Sequence, residues 1–191
     1  MIFYLVRHGQ TDWNTEKRMQ GHADIPMNET GIKQIKDLAD KIAKEGIVFD
    51  RLIASPLERA KKSAEIIAEK TGFKKDIIFD IDFIERDCGK LEGAIWTPEL
   101  DLDDPKHEME LIPELNKRAE RALAKYDFSE DERVMIVSHG AILTAVRTVL
   151  SDYTLDFFDR NEPVIQGDVL RIERKGGKML SAFNIRFYKT E

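Results

Sequence analysis

The chain has 191 residues, 42% of them hydrophobic and 35% charged, which is the size of one ordinary domain able to bury a substantial core. Lys and Arg total 30 against 36 Asp and Glu, a formal net charge of −6, and no basic block interrupts that balance, which excludes a generalised nucleic-acid or acidic-membrane binder. Cys88 is the only cysteine, so an intrachain disulfide or an all-cysteine metal site is excluded, and a reducing cytosol suits the chain.

Residues 2–6 are continuously apolar and β-prone, which predicts a strand buried on both faces. The run is too short for a signal-peptide core or a membrane span, and no cationic segment precedes it, so a soluble, cytoplasmic, single-domain protein is expected. Ile32, Ile35, Leu38, Ala39 and Ile42 recur at helical spacing and predict a helix over 29–45 that ends before Gly46. A short strand at about 50–54 leads into Ser55-Pro56-Leu57-Glu58. There Ser55 is expected as N-cap, Pro56 as the first helical residue and Glu58 as the capping-box acid of a helix running to Gly72. A β-prone stretch follows at 76–84. Residues 94–113 are irregular, with three prolines and an acidic run through Asp101, Asp103 and Asp104 to Glu110, expected as a solvated face. Helical periodicity resumes through Leu111, Leu115, Ala119, Ala122 and Leu123. A strand over Arg133–Ser138 precedes a helix of roughly ten residues from Ala141. The end reads as a hairpin, 164–174 and 179–188, around Gly176-Gly177. Strands alternating with helices predict an α/β fold with a mainly parallel sheet, and the hairpin would add antiparallel edge strands. No internal repeat or low-complexity tract is visible.

Of four histidines, His8 and His139 hold equivalent places, in Arg7-His8-Gly9 and Ser138-His139-Gly140, each directly after a predicted strand. Ser55 to Arg59 follows a third. Ligands of open parallel sheets bind at the carboxyl ends of the strands, so two imidazoles and the guanidiniums of Arg7 and Arg59 should meet there. Arginines suit phosphate or carboxylate and would repel a metal cation, and no carboxylate or thiol completes a zinc spacing; no metal or cofactor is expected. A histidine between arginines suits attack on phosphorus, because the cations keep a ring nitrogen unprotonated and stabilise charge on the transferring phosphoryl group. His22 and His107 are expected as exposed or rim residues, and Cys88 as a buried small hydrophobe.

Arg7-His8-Gly9-Gln10-Thr11, Trp13-Asn14 and Arg18-Met19-Gln20-Gly21 are followed by Asp24, the leucine-like Met27 and Thr30-Gly31. Later come Ser55-Pro56-Leu57-Glu58-Arg59-Ala60, Glu85 with Gly89 and Glu92-Gly93, and Ser138-His139-Gly140. In this order and spacing the motifs resemble the histidine phosphatase superfamily, in its metal-independent, phosphoglycerate-mutase-like branch, over nearly the whole chain. The resemblance implies one three-layer α/β/α domain over 1–191, with residues 94–116 as a lid-like insert over the site. It implies that His8 is a nucleophile that becomes a phosphohistidine. It also implies that Arg7, Arg59 and His139 bind the phosphoryl oxygens with Asn14 beside them, and that Glu85 protonates the leaving alkoxide and then activates water. Gln20, Gly21 and Ala141 are carried over as substrate-binding positions, and Ser55 and Ser138 as supports of the site.

A phosphatase and a cofactor-dependent phosphoglycerate mutase share this chemistry. Only 54 positions separate Glu85 from His139, shorter than in the mutases, and Ala94 to Asn116 carries Lys106 as its one fixed cation. Gly9-Gln10-Thr11 and His139-Gly140-Ala141 also differ from the mutase forms, which have Glu-Ser and Asn at the corresponding places. The expectation is therefore a phosphomonoesterase acting on a small phosphorylated metabolite, a monophosphate ester (an amine-bearing one included) rather than a bisphosphorylated sugar. A mutase, a non-catalytic phosphate-binding module and, more weakly, a metal-dependent hydrolase stay open. The partner expected is the substrate, with no nucleic acid and no membrane, and the terminal hairpin offers an edge for a homodimer.

Overall fold

Alternation of side chains along a strand sends neighbouring residues to opposite faces, and in a strand apolar at every position both faces must be covered. β1 (Ile2–Arg7) does this: Phe3 and Leu5 enter one core, Tyr4 and Val6 the other. The structure, a computed structural model, describes residues 1–102, 104–159 and 163–185. Asp103 of the acidic run and residues 186–188 of the expected hairpin lie outside them.

After β1 come α1 (Asp12–Thr15), α2 (Glu29–Lys44), β2 (Arg51–Ala54), α3 (Glu58–Thr71), β3 (Ile78–Phe79), α4 (Ile112–Ala124), β4 (Arg133–Ser138), α5 (Gly140–Leu150), β5 (Val169–Lys175) and β6 (Lys178–Ile185). One six-stranded sheet has the order β3-β2-β4-β1-β5-β6. The first four strands run parallel and β5 and β6 antiparallel, as the alternating pattern predicts. Leu115, Ala119, Ile142 and Val146 of α4 and α5 cover one face, and Ile35, Leu38, Ala64 and Ile67 of α2 and α3 the other, giving three layers. No described helix is long and apolar enough to cross a membrane.

Several boundaries move for physical reasons. The β-prone stretch at 76–84 forms only two strand residues before a 3-10 turn at Ile81–Phe83, because Asp80 accepts from the Asp82 N–H and bends the chain. The irregular stretch ends at Leu111: Pro113 falls in the first turn of α4, so the last part of the expected insert is helical. The hairpin begins at Val169 rather than 164; before it, Gln166 forms an isolated bridge to Arg7 and Val164 packs into the core. Ser55 is not an N-cap. α3 starts at Glu58 after Leu57, and its first N–H is taken by Asp24 Oδ1 at 2.7 Å, while the Ser55 hydroxyl is engaged elsewhere.

Register builds the site. Arg7 of β1 pairs with Ser138 of β4, and the His8 N–H donates to the Ser138 carbonyl at 2.9 Å. Ala54 pairs with Val137, and the Ser55 N–H donates to the Val137 carbonyl at 3.1 Å. Ser55, His139 and His8 therefore leave three adjacent strands in one row at their carboxyl ends.

Candidate active site

His8 is buried, and its Nδ1 lies 2.7 Å from the Gly9 carbonyl oxygen. A carbonyl only accepts, so Nδ1 carries the proton and Nε2 keeps its lone pair, with no hydrogen-bond partner of its own. Burial first, then the charges of Arg7 and Arg59, hold the His8 pKa well below that of a free histidine, so the ring is neutral. The His139 ring stands 5.1 Å away, centre to centre, inclined at 61°.

His139 is the residue before α5, and its tautomer follows from its neighbours. Arg59 Nε, a donor, lies 3.2 Å from Nδ1, which must accept; Nε2 then donates to Ser55 Oγ at 2.8 Å. Ser55 Oγ also accepts from the Leu57 N–H at 3.2 Å, which is why it caps no helix. Burial, followed by Arg59, His8 and Arg7, pushes the His139 pKa well down as well. Arg59 also donates from Nη1 and Nη2 to loop carbonyls, those of Ala23 and Gly21, each at 2.8 Å. Arg7 differs: its Nε is buried without a partner among the described residues. Burial pulls both guanidiniums below the usual arginine value, and Glu85 is the strongest charge opposing that shift in each.

Glu85 is thus the carboxylate facing both cations. Its Oε1 accepts from the N–H groups of Arg86 at 2.8 Å, Ala141 at 3.1 Å and Ile142 at 3.1 Å, and its Oε2 from Ala141 at 3.2 Å. The carboxylate sits on the open N-terminus of α5, where orphan N–H groups and the helix dipole favour an anion. Ala141's N–H is committed to Glu85. Glu92, the nearby alternative acid, instead braces the loop, accepting from the Gly21 and His22 N–H groups, both at 2.9 Å. Gly21 is held so closely that a Cβ there would stand 2.7 Å from the Arg86 carbonyl.

Asn14 Nδ2 donates to Gln20 Oε1 at 3.3 Å, and the buried Gln20 Nε2 has no partner. His22 is exposed, as expected, and its ring reaches the Glu85 carbonyl at 3.0 Å. Cys88 is buried, and burial pushes its thiol up to about 12, so it packs as an apolar group. Ser138 donates to the Phe83 carbonyl, two residues before Glu85. Among the described residues no group of three or more His, Cys, Asp or Glu side chains is arranged to hold a metal ion.

Other residues at the site went unnoticed in the sequence. Thr11 caps α1 in a capping box with Asn14, a pattern the local spacing does carry. Ser63 accepts from the Gly9 N–H at 3.3 Å, and Gln166 Nε2 lies 3.1 Å from the His8 carbonyl and 3.2 Å from Asn14 Oδ1. Arg118 and Glu110 anchor the backbone around Glu85. No local signal marks these last four, because each acts on residues far away in the chain.

An imidazole with a free lone pair beside a guanidinium with an unmet donor, and a carboxylate facing both, can attack phosphorus, hold its oxygens and move a proton. The model of the histidine phosphatase superfamily (branch 1) matches residues 3–185. A Bacillus subtilis (strain 168) protein described as the uncharacterized phosphatase PhoE is 38% identical over 150 residues, covering 77% of this chain and 76% of its own. Phosphoglycerate mutase-like protein 4 of Arabidopsis thaliana is 31% identical over 203 residues, covering 90% and 87%. The solved structure of Bacillus stearothermophilus YhfR superposes with a TM-score of 0.77 at 28% identity, over 93% of each chain. The chain belongs to the histidine phosphatase superfamily, branch 1, and is an enzyme of its phosphatase type.

Proposed function

We propose that the protein is a metal-independent phosphomonoesterase working through a phosphohistidine on His8. The observation that carries this is the His8 tautomer: Nδ1–H fixed on the Gly9 carbonyl, Nε2 unpartnered and unprotonated. Nε2 attacks phosphorus, the phosphorus–ester oxygen bond breaks, and the proton that a monoanionic ester brings to Glu85 passes to the departing alkoxide. The Gly9 carbonyl takes up the positive charge developing on the ring through Nδ1–H. Arg7, with its unmet Nε–H, is placed to stabilise the phosphoryl oxygens, helped by the charge of Arg59. Water then attacks the phosphohistidine, Glu85 takes its proton, the nitrogen–phosphorus bond breaks and phosphate leaves.

The substrate is a small monophosphate ester. The insert over 94–111 is rich in carboxylates and its one Lys, Lys106, is paired with Asp104, so it disfavours a polyphosphate and tolerates an amine-bearing alcohol. It acts as the lid of a single domain spanning 1–191, in keeping with tethers near both its ends, among them Trp96 N–H on the Lys17 carbonyl at 2.8 Å and Glu110 N–H on the Asp87 carbonyl at 3.0 Å.

One observation favours the mutase reading. Arg86, next to Glu85, is buried, donates from Nε to the Glu110 carbonyl at 2.6 Å, and has an Nη2 without partner. A buried cation so placed suits a second anionic group, such as the carboxylate of 3-phosphoglycerate. Phosphate release from a panel containing phosphoethanolamine, 3-phosphoglycerate and fructose 2,6-bisphosphate, in EDTA, tests both readings. Wild type should turn over a monophosphate and form an acid-labile phosphoenzyme, and His8→Ala should do neither. Equal release by both proteins would overturn the nucleophile. Interconversion of phosphoglycerates outpacing release would establish the mutase.

A further inference from the structure

Glu85 stands on an irregular segment between the 3-10 turn at Ile81–Phe83 and a second one at Gly89–Leu91, with no strand or helix of its own to fix it. Its carboxylate must nevertheless meet the start of α5 to within hydrogen-bond distance. The fixing comes from Arg118, in the middle of α4. A guanidinium has five N–H donors in a rigid fork, and here all five are used. Nη1 donates to the carbonyls of Asp82 at 2.9 Å and Ile84 at 2.7 Å, and Nη2 to the carbonyl of Glu85 itself at 3.1 Å. The remaining two, from Nε at 2.8 Å and Nη2 at 2.7 Å, grip both oxygens of Glu110. Glu110 in turn accepts from the Asp87 N–H at 3.2 Å and, through its own carbonyl, from Arg86 Nε. The pair is nearly buried, with side-chain exposures of 12% and 15%, and α4 packs directly on α5.

We propose that Arg118 is a positioning residue for the proton-transfer group, clamping the 82–85 backbone so that the Glu85 carboxylate is delivered to the N-terminus of α5. The inference rests on the reading of Glu85 as the acid. Arg118 touches neither substrate nor reacting atoms; it acts through the backbone of Glu85. Its charge is balanced by Glu110, so the effect is one of geometry. The clamp also joins the end of the 94–111 insert to the acid, so any displacement of the insert at Glu110 is felt at Glu85. Lysine cannot replace the fork, since three donors on one nitrogen cannot reach three carbonyls and two carboxylate oxygens held in different directions.

A misplaced acid has a signature that a merely loosened fold lacks. Protonation matters for a poor leaving group and little for a good one, and kcat/KM reports the step in which that group departs. The experiment measures kcat/KM for 2-glycerol phosphate and for 4-nitrophenyl phosphate with wild type, Glu85→Gln, Arg118→Ala, Arg118→Lys and Arg121→Ala. Glu85→Gln should lose about 100-fold or more on the alkyl ester and far less on the nitrophenyl ester. Arg118→Ala should follow it, losing roughly 10- to 100-fold on the alkyl ester only, with partial recovery when guanidinium is added to the assay. Arg118→Lys should lie between and serves as the test if the alanine variant does not fold. Arg121, which binds only the Asp82 side chain and is exposed, is the control and should leave the ratio unchanged. Equal losses on both esters, or none, in folded Arg118 variants would overturn the positioning role. Absence of the differential in Glu85→Gln would instead overturn the reading of Glu85, and the inference with it.

Discussion

The carboxyl ends of β1, β2 and β4 and the insert over 94–111 are built on opposite plans. At the strand ends the polar groups are buried and held by specific partners, His139 by Arg59 and Ser55, Arg59 by two loop carbonyls and Glu85 by three backbone N–H groups, with His8 Nε2 and Arg7 Nε the groups left unmatched among the described residues. Along the insert, ion pairs such as Lys90 with Glu108 and Lys106 with Asp104 stand in solvent. Its Ala94, Leu100, Leu102 and Met109 join only a small apolar cluster with Met19, Cys88 and Leu91, and its Ile95, Trp96 and Leu111 are exposed. Side chains that need close placement sit where the sheet fixes the backbone, while an exposed, thinly packed insert can change its surface at little cost to the fold.

That contrast predicts steep losses at the strand ends and shallow ones on the insert. His8→Ala should lower turnover by roughly three orders of magnitude or more, read as kcat, while the chain stays folded by circular dichroism. Retained turnover would break the comparison at its centre. Acid should be the next largest effect. His8 and His139 are neutral when folded, with depressed pKa values, whereas in the unfolded chain they take protons below about pH 6.5. Stability is therefore full above that value and is lost as pH falls toward the folded pKa values. For two such groups this amounts to about 3 kcal/mol by roughly pH 5.5, measured by urea unfolding across pH. His8→Asn should remove about half of that dependence.

Gly31→Ala sharpens the comparison at the level of one atom. In the first turn of α2, alanine would be favoured by about 1 kcal/mol on helix propensity. In the fold its Cβ would stand 2.1 Å from the Gln10 carbonyl oxygen, so a net cost of about 1–3 kcal/mol and reduced kcat/KM are expected as the loop after His8 shifts. Smallest of all, Lys90→Ala removes a pair exposed at 62% and 65% and should change unfolding free energy by less than about 1 kcal/mol. A larger change would mean that the insert is more tightly built than its surface pairs imply.

How much of this was legible in the chain depends on the distance over which each feature is set. The strands at 2–7, 51–54 and 133–138 and the helices after them follow from runs and periodicities within a dozen residues. Arg7, His8, Arg59 and His139 could be placed at one end of the sheet because each follows a strand readable from its own neighbourhood, whereas Glu85 was picked out by the family resemblance alone. The acidic stretch through Glu110 read as a solvated face, and Asp101, Lys106 and Glu108 are exposed; Asp104 is half-buried, and Glu110 is drawn inward by Arg118.

Ser55 marks the other boundary. Ser-Pro-x-Glu is a sound local signal for a capped helix, and the local rule lost because His139, 84 positions away, competes for the same hydroxyl. The sequence by itself determined the layered α/β pattern and the types of side chain at the strand ends, since hydrophobic periodicity and short motifs act through neighbours in the chain. Only the tertiary structure decided the His8 and His139 tautomers, the clamp of Arg118 on the Glu85 backbone, the reach of Gln166 to His8 and the close approach of Gly31 to Gln10. Those contacts depend on strand register and helix packing, which bring donors and acceptors together from distant parts of the chain and leave no trace in either neighbourhood.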